Sequence, residues 1–335
     1  NLSPKAEALR PGQPAPIDLS ARYLYGAPGA DLAVTGEVGV AAAAASGVKG
    51  LEGFTVGLDD EAVEASTVEI EQAATTDAQG RASLQIPVQS VGAPRPTEAR
   101  ITLRVAEPGG RAVERSVTLP ILPKGPVVGV RKNFSGQLGE GANATFDVVL
   151  ADPAGKRLAG PATWSLYKIE RRYQWYNSDG RWSYEPVKNT RRIADGRIDV
   201  KADALARISA PVEWGTYRLD VSAADLGDTA QTSLSFTVGW SGDQTADTPD
   251  LLDMTLDRAS YRAGDTMKLR LNPRFAGKAT LAVVSDKVHD IRVVDVAASG
   301  TDVSLPVKAE WGPGAYIVVM AHRPLDKAAR RMPGR

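Results

Sequence analysis

The chain has 335 residues, with 40 Lys and Arg balanced by 40 Asp and Glu, and no cysteine. The balance, without a long basic stripe, argues against a phosphate-tracking nucleic-acid surface, and the missing cysteines exclude disulfides, thiolate metal sites and cysteine nucleophiles within these residues. The most apolar low-complexity stretch, residues 38–48, is far shorter than the roughly 20 residues a spanning helix needs, so no membrane contact is expected of it.

In chain order the pattern predicts short, β-branched, alternating runs, among them residues 101–105, 113–119, 146–150, 233–238, 281–285 and 316–320. Turn chemistry separates such runs at Asp77-Ala-Gln-Gly80, Glu107-Pro-Gly-Gly110, Asp152-Pro-Ala-Gly155, Asn177-Ser-Asp-Gly180 and Asp195-Gly196, where glycine permits positive φ. The best of the weak helical candidates is residues 59–72, so the predicted fold is all-β.

Two echoes divide the chain. Gly12, Gly141 and Gly264 each open an alternating run and stand 129 and 123 residues apart, a spacing suited to tandem antiparallel β-sandwiches of about 100 residues. A Trp-Gly signature also recurs, as Pro211-Val-Glu-Trp214-Gly215-Thr-Tyr217 and Glu310-Trp311-Gly312-Pro-Gly-Ala-Tyr316. Proline and glycine collect around 119–126 and 240–249, which gives expected domains 1–123, 124–243 and 244–335 joined by short linkers about which they rotate as separate bodies. Glycine to tryptophan is 73 residues in the second and 47 in the third, so the second carries an insertion of 26 residues. The segment 164–188, turning at 177–180, is expected to be that insertion, as a protruding hairpin.

Chemistry is sparse. The two histidines, His289 and His322, have no helpful sequence neighbours, and neither zinc-helix, nucleophile-elbow nor phosphate-loop motifs occur. No catalytic residue, metal or cofactor is expected, although the many carboxylates leave a glycosidase-type acid pair open. The richest constellation is Arg171, Arg172, Tyr173, Trp175, Tyr176, Trp182 and Tyr184 in the inserted hairpin. Trp175 and Trp182 standing across the turn would make a platform for sugar rings, nucleobases or a partner's side chains; alternatively, cross-strand aromatic pairs and stacked arginines simply stabilise the hairpin or cover a neighbouring domain. Trp214 and Trp311, recurring with glycine and tyrosine, are expected to be equivalent core plugs. The basic end, Arg323 to Arg335, is expected to be open to trypsin-like cleavage. The chain begins at Asn1 without a leader pattern, and the expectation is a piece of a longer exported protein whose signal peptide or lipid anchor lies elsewhere.

Three stretches carry a family resemblance. Tyr23-Leu-Tyr25-Gly26-Ala-Pro28 resembles the opening of a macroglobulin-like domain of the alpha-2-macroglobulins. Phe275-Ala-Gly277-Lys-Ala-Thr-Leu-Ala-Val, with Trp311-Gly-Pro-Gly-Ala-Tyr316 and Arg331-Met-Pro-Gly-Arg335, is similar to the bacterial branch, as are Tyr173-Gln-Trp-Tyr176 and Asp179-Gly-Arg-Trp182. The resemblance implies three macroglobulin-like (immunoglobulin/fibronectin-like) sandwiches close before a bait segment. It also implies a parent in the periplasm or cell envelope that traps proteases when bait cleavage collapses the domain string. Expected partners are therefore proteases, through the parent, and neighbouring macroglobulin-like domains. The family's Cys-x-Glu-Gln thioester falls outside a chain without cysteine. A carbohydrate-binding or adhesive module using the aromatic hairpin is the alternative.

Overall fold

The computed structural model describes residues 1–89, 94–107, 110, 112–134, 138–139, 141–178, 181–239, 252–273 and 275–322, the side chains of 72, 171–178 and 181–188 excepted. Its described residues hold 22 strands and two three-residue 3-10 turns, Ala224–Leu226 and Ala309–Trp311. The weak helical candidate at 59–72 is instead the start of a strand, Ser66–Thr75, because its alternating Ser-Thr-Val-Glu-Ile run finds an antiparallel partner.

The first unit contains β1 (Leu2–Pro4), β2 (Ala15–Ser20), β3 (Ala33–Ala42), β4 (Thr55–Leu58), β5 (Ser66–Thr75), β6 (Arg81–Ile86), β7 (Thr97–Ala106) and β8 (Val113–Ile121). Sheets β1-β2-β6 and β5-β3-β7-β8 face each other across Ile17, Leu19, Val34, Val38, Leu84, Ile101 and Leu103. Strict alternation of buried and half-exposed residues along β3 shows one side turned to this core. β4 is absent from both sheets.

The second unit contains β9 (Val127–Lys132), β10 (Asn143–Ala151), β11 (Arg157–Leu158), β12 (Gly160–Ser178), β13 (Arg181–Val200), β14 (Ala206–Pro211), β15 (Gly215–Ser222) and β16 (Gln231–Val238). β9, β10, β11 and β14 form one layer and β16-β15-β12-β13 the other. Phe134, Phe146, Tyr217 and Phe236 cluster between them with ring centroids 5.2–5.8 Å apart. The two layers are joined on one side by β4, which the first unit donates: it runs antiparallel to β9 and parallel to β16. The result is a single nine-stranded sheet. Freely rotating beads are therefore not what the first two units form, since a strand of one completes the sheet of the other.

The third unit contains β17 (Asp253–Leu256), β18 (Thr266–Asn272), β19 (Gly277–Val284), β20 (Val288–Val296), β21 (Thr301–Pro306) and β22 (Tyr316–His322). Its sheets, β17-β18-β21 and β20-β19-β22, enclose Met267, Leu269, Leu271, Leu281, Val283, Leu305 and Trp311. The linker at 240–249 and the basic end at 323–335 lie outside the described residues.

Candidate functional site at the projecting hairpin and the domain junctions

The inserted hairpin is continuous from Gly160↔Val200 to Ser178↔Arg181, with one irregularity at Leu166/Tyr167. β15 accompanies β12 only from Thr163 to Ile169, so the ribbon beyond has no third strand. At about 3.3 Å per residue that ribbon extends roughly 30 Å past the sheet. Its register sets Trp175 opposite Tyr184, Trp182 opposite Asn177 and Tyr173 opposite Pro186, so Trp175 and Trp182 are diagonal neighbours rather than a facing pair. The side chains of Arg171, Arg172, Tyr173, Trp175, Tyr176, Trp182 and Tyr184 lie outside the described residues. At the root of the ribbon Trp164 faces Gly196, whose missing side chain gives the indole room.

The junction of the first and second units is extensive. Val48, Leu51 and Val56 of the first unit pack with Val127, Val149 and Ala151 of the second in one apolar cluster. Arg131 and Arg157 lie over the Phe54 ring at 4.6 and 5.7 Å, and Arg157 donates to the Gly50 carbonyl at 2.8 Å. Gly57 N–H donates to the Thr232 hydroxyl at 3.0 Å, which in turn donates to the Val128 carbonyl at 2.6 Å. The chain follows this path only through a glycine, because Gly57 has φ +80° and a Cβ there would meet Arg95 Cα at 2.6 Å.

Past β4, the Asp59 N–H donates to Ser233 Oγ at 2.8 Å, and Ser233 Oγ donates to Asp60 at 2.9 Å. Arg218 spans Asp60 at 2.5 Å and Asp220 at 2.9 Å, so one guanidinium clamps a carboxylate from each unit. Burial pushes the Asp60 carboxyl upward, yet the Ser233 hydrogen bond and the Arg218 charge outweigh it and hold that carboxyl below the usual range. Burial dominates at Asp220 and raises it. Divergent carboxylates beside a cavity of about 300 Å³ lined by Trp164 and Tyr167 satisfy the first condition for acid–base chemistry. Arg218 hydrogen-bonds both, however, and an ion-paired clamp is the arrangement present.

The second and third units meet differently. Arg270 of β18 is 4% exposed and lies 4.2 Å from the centroid of Trp214. Its in-plane hydrogen bonds stay within its own unit: Nη1 to Asp302 at 3.1 Å, Nη2 to the Ser299 carbonyl at 2.9 Å, and Nε to Asn272 at 3.2 Å. Gly300, at φ +99°, leaves the space the guanidinium fills. Trp214 is half-buried at this junction and is not part of the second unit's core, which corrects the expected equivalence of the two tryptophans. Trp311 is the core plug of the third unit at 8% exposure. In the second unit Tyr217 takes that role: it is buried, stacked on Phe236, and its hydroxyl donates to the Glu213 carbonyl at 3.0 Å and accepts from the Glu213 N–H at 3.1 Å. That is the bond pattern of a tyrosine corner.

Both histidines sit on the β20-β19-β22 sheet. His322 Nε2 is 3.1 Å from Thr280 Oγ1, and His289 Nε2 is 2.6 Å from Ser285 Oγ. Ser285 donates to Asp286 at 2.7 Å, so the acid contacts the hydroxyl rather than the imidazole and the three do not make a relay.

Tandem antiparallel β-sandwiches, linked through a donated strand and a stacked arginine, define the class as multidomain proteins built of β-sandwich modules. Three family models match in succession: the bacterial alpha-2-macroglobulin MG5 domain over 1–123, bacterial macroglobulin domain 6 over 129–240, and the alpha-2-macroglobulin bait region domain over 252–332. The chain belongs to the bacterial alpha-2-macroglobulin family. It is 30% identical to the alpha-2-macroglobulin of Escherichia coli K12 across its full length, which is 21% of that relative. The native conformation of the E. coli protein aligns with 99% of this chain and 22% of its own at TM-score 0.64 and 28% identity. Trypsin-activated E. coli alpha-2-macroglobulin aligns with 98% of this chain and 24% of its own at TM-score 0.51 and 29% identity. The chain thus spans about a fifth of the length of the relatives it matches.

Proposed function

We propose that this chain is a noncatalytic framework segment of a protease-trapping inhibitor, in which bait cleavage lets the third unit change its position against a rigid first-and-second pair. The carrying observation is the succession of family matches, MG5, domain 6 and bait region domain, in one uninterrupted order. Relatives solved in a native conformation and after trypsin activation support an intact and a cleaved state for the parent. In this reading the divisions 1–123, 124–243 and 244–335 bound three macroglobulin-like domains. Proteases are partners only through the parent, which resides in the periplasm or cell envelope. A thioester, if the parent has one, lies outside these cysteine-free residues.

The test is limited trypsin digestion of the full-length parent, with fragment masses and protease capture read together. A first cut within or shortly after the third unit, accompanied by retention of trypsin, is expected. Digestion that begins inside the first two units, with no trypsin retained, would refute the assignment. The projecting ribbon favours a second reading, an adhesive arm that binds carbohydrate through Trp175, Tyr176 and Trp182. Glycan-array binding by the chain that disappears with Trp182→Ala would establish it.

A further inference from the structure

We propose that the outer face of β20-β19-β22 is a docking surface for an apolar β-sheet face of another domain of the same parent chain. Val288, Ile291 and Val293 on β20, and Tyr316, Val318 and Met320 on β22, are each 53–79% exposed. They are six of the thirteen large hydrophobic side chains left exposed among the described residues. Register gathers them on one side: Val293 and Met320 flank Thr280, Ile291 and Val318 flank Ala282, and Val288 and Tyr316 flank Val284. Three successive rows across three strands thus present β-branched and long apolar side chains to water. A contiguous apolar patch of this kind marks an interaction site in a soluble protein, whereas scattered hydrophobic residues do not.

The shape and charge of the face select the partner. Cavities of about 410, 400, 460 and 300 Å³ are lined by the first two units, and none of these four includes a residue of this face. An array of alternating apolar residues on one face of a sheet suits sheet-on-sheet packing, about 10 Å between layers. The charged row beside it is already neutralised, because Lys278 pairs with Asp295 at 2.7 Å, so the face asks for no charged counterpart. Four-fifths of a relative's chain lies outside the segment matched here, which supplies further domains able to cover it. The inference rests on the reading of this chain as part of a longer parent, but not on protease trapping.

The absence of cysteine allows a direct test. Val318→Cys is introduced into the 335-residue chain and into the full-length parent, and maleimide labelling is followed on the peptide spanning that position. Labelling at least ten-fold slower in the parent than in the isolated chain is expected, with equal rates after denaturation. Equal rates in both native proteins overturn the proposal. Slow labelling of an isolated chain that runs as a dimer also overturns it, since a second copy would then be the occupant. Ile291→Lys provides an independent reading: it should leave the isolated chain's melting profile unchanged and restore rapid labelling at position 318 in the parent. A parent that protects position 318 but retains no protease would refute the trapping function and leave the docking surface standing.

Discussion

Tyr217 and Trp311 each plug the core of their own unit from different places in one repeated motif, and the register of the following strand decides which ring goes inside. β15 begins directly after Trp214, and alternation brings Tyr217 inward. Trp311 instead closes a 3-10 turn, and Gly-Pro-Gly-Ala intervenes before β22, whose first residue, Tyr316, is 79% exposed. Trp311→Ala should therefore remove the third unit's thermal transition, at a cost of roughly 3–5 kcal/mol, without shifting the other transition. Tyr217→Phe keeps the ring but forfeits both hydrogen bonds to Glu213, costing the second unit roughly 1–3 kcal/mol. A calorimetric trace unaltered by either change would contradict these placements. The repetition was legible in the sequence, and so was one of the two plugs. The exchange of roles was not, because the motif fixes residue types while strand phase depends on where pairing begins.

β4 is an element whose partners are remote. It is four residues long, Thr-Val-Gly-Leu, and it pairs with strands starting at Val127 and Gln231. Periodicity over four residues cannot announce a strand, and nothing local tells which sheet will accept it, so the sequence suggested separate beads where the fold has an interlock. By contrast, the long hairpin was readable, because its insertion length and turn residues are local. Thr232→Val removes the buried hydroxyl linking Gly57 N–H to the Val128 carbonyl and should cost about 1–3 kcal/mol. The loss should appear in one shared transition of the first two units; a shift confined to one of them would exclude the interlock. Acid exposes the same junction through Asp60. With a folded pKa below the unfolded one, Asp60 stabilises at neutral pH, and its contribution disappears as pH falls through the lowered value, beneath the ordinary carboxylate range near about 4. Asp60→Asn should accordingly lower the melting temperature at pH 7, and the difference should shrink as pH falls below the ordinary carboxylate value, while a difference that stays constant through acid would rule out that coupling.

At the scale of the whole molecule, the two junctions differ in what separation would cost. Parting the first unit from the second would strip β4 from both its neighbours and open an apolar cluster, so backbone groups and core side chains would lose partners together. Parting the second from the third at Arg270 costs less, because among the described residues the hydrogen bonds of that guanidinium are made inside its own unit and its stacked face is what would be uncovered. A stacked cation of this kind contributes about 0.5–2 kcal/mol, a scale that ligand or cleavage events can overturn. Motion is thus expected about the Trp214–Arg270 contact, with the first two units moving as one body. The cysteine-free chain permits paired labels at chosen sites, one pair at Asp203→Cys and Lys268→Cys, a second at Glu98→Cys and Asp203→Cys. Trp214→Ala should broaden the distance distribution of the pair spanning the second and third units and leave the first-to-second pair narrow, with little change in melting temperature. Equal broadening in both pairs would mean that the donated strand does not lock the first junction. No broadening in either would mean that the stacked arginine is not what orients the third unit.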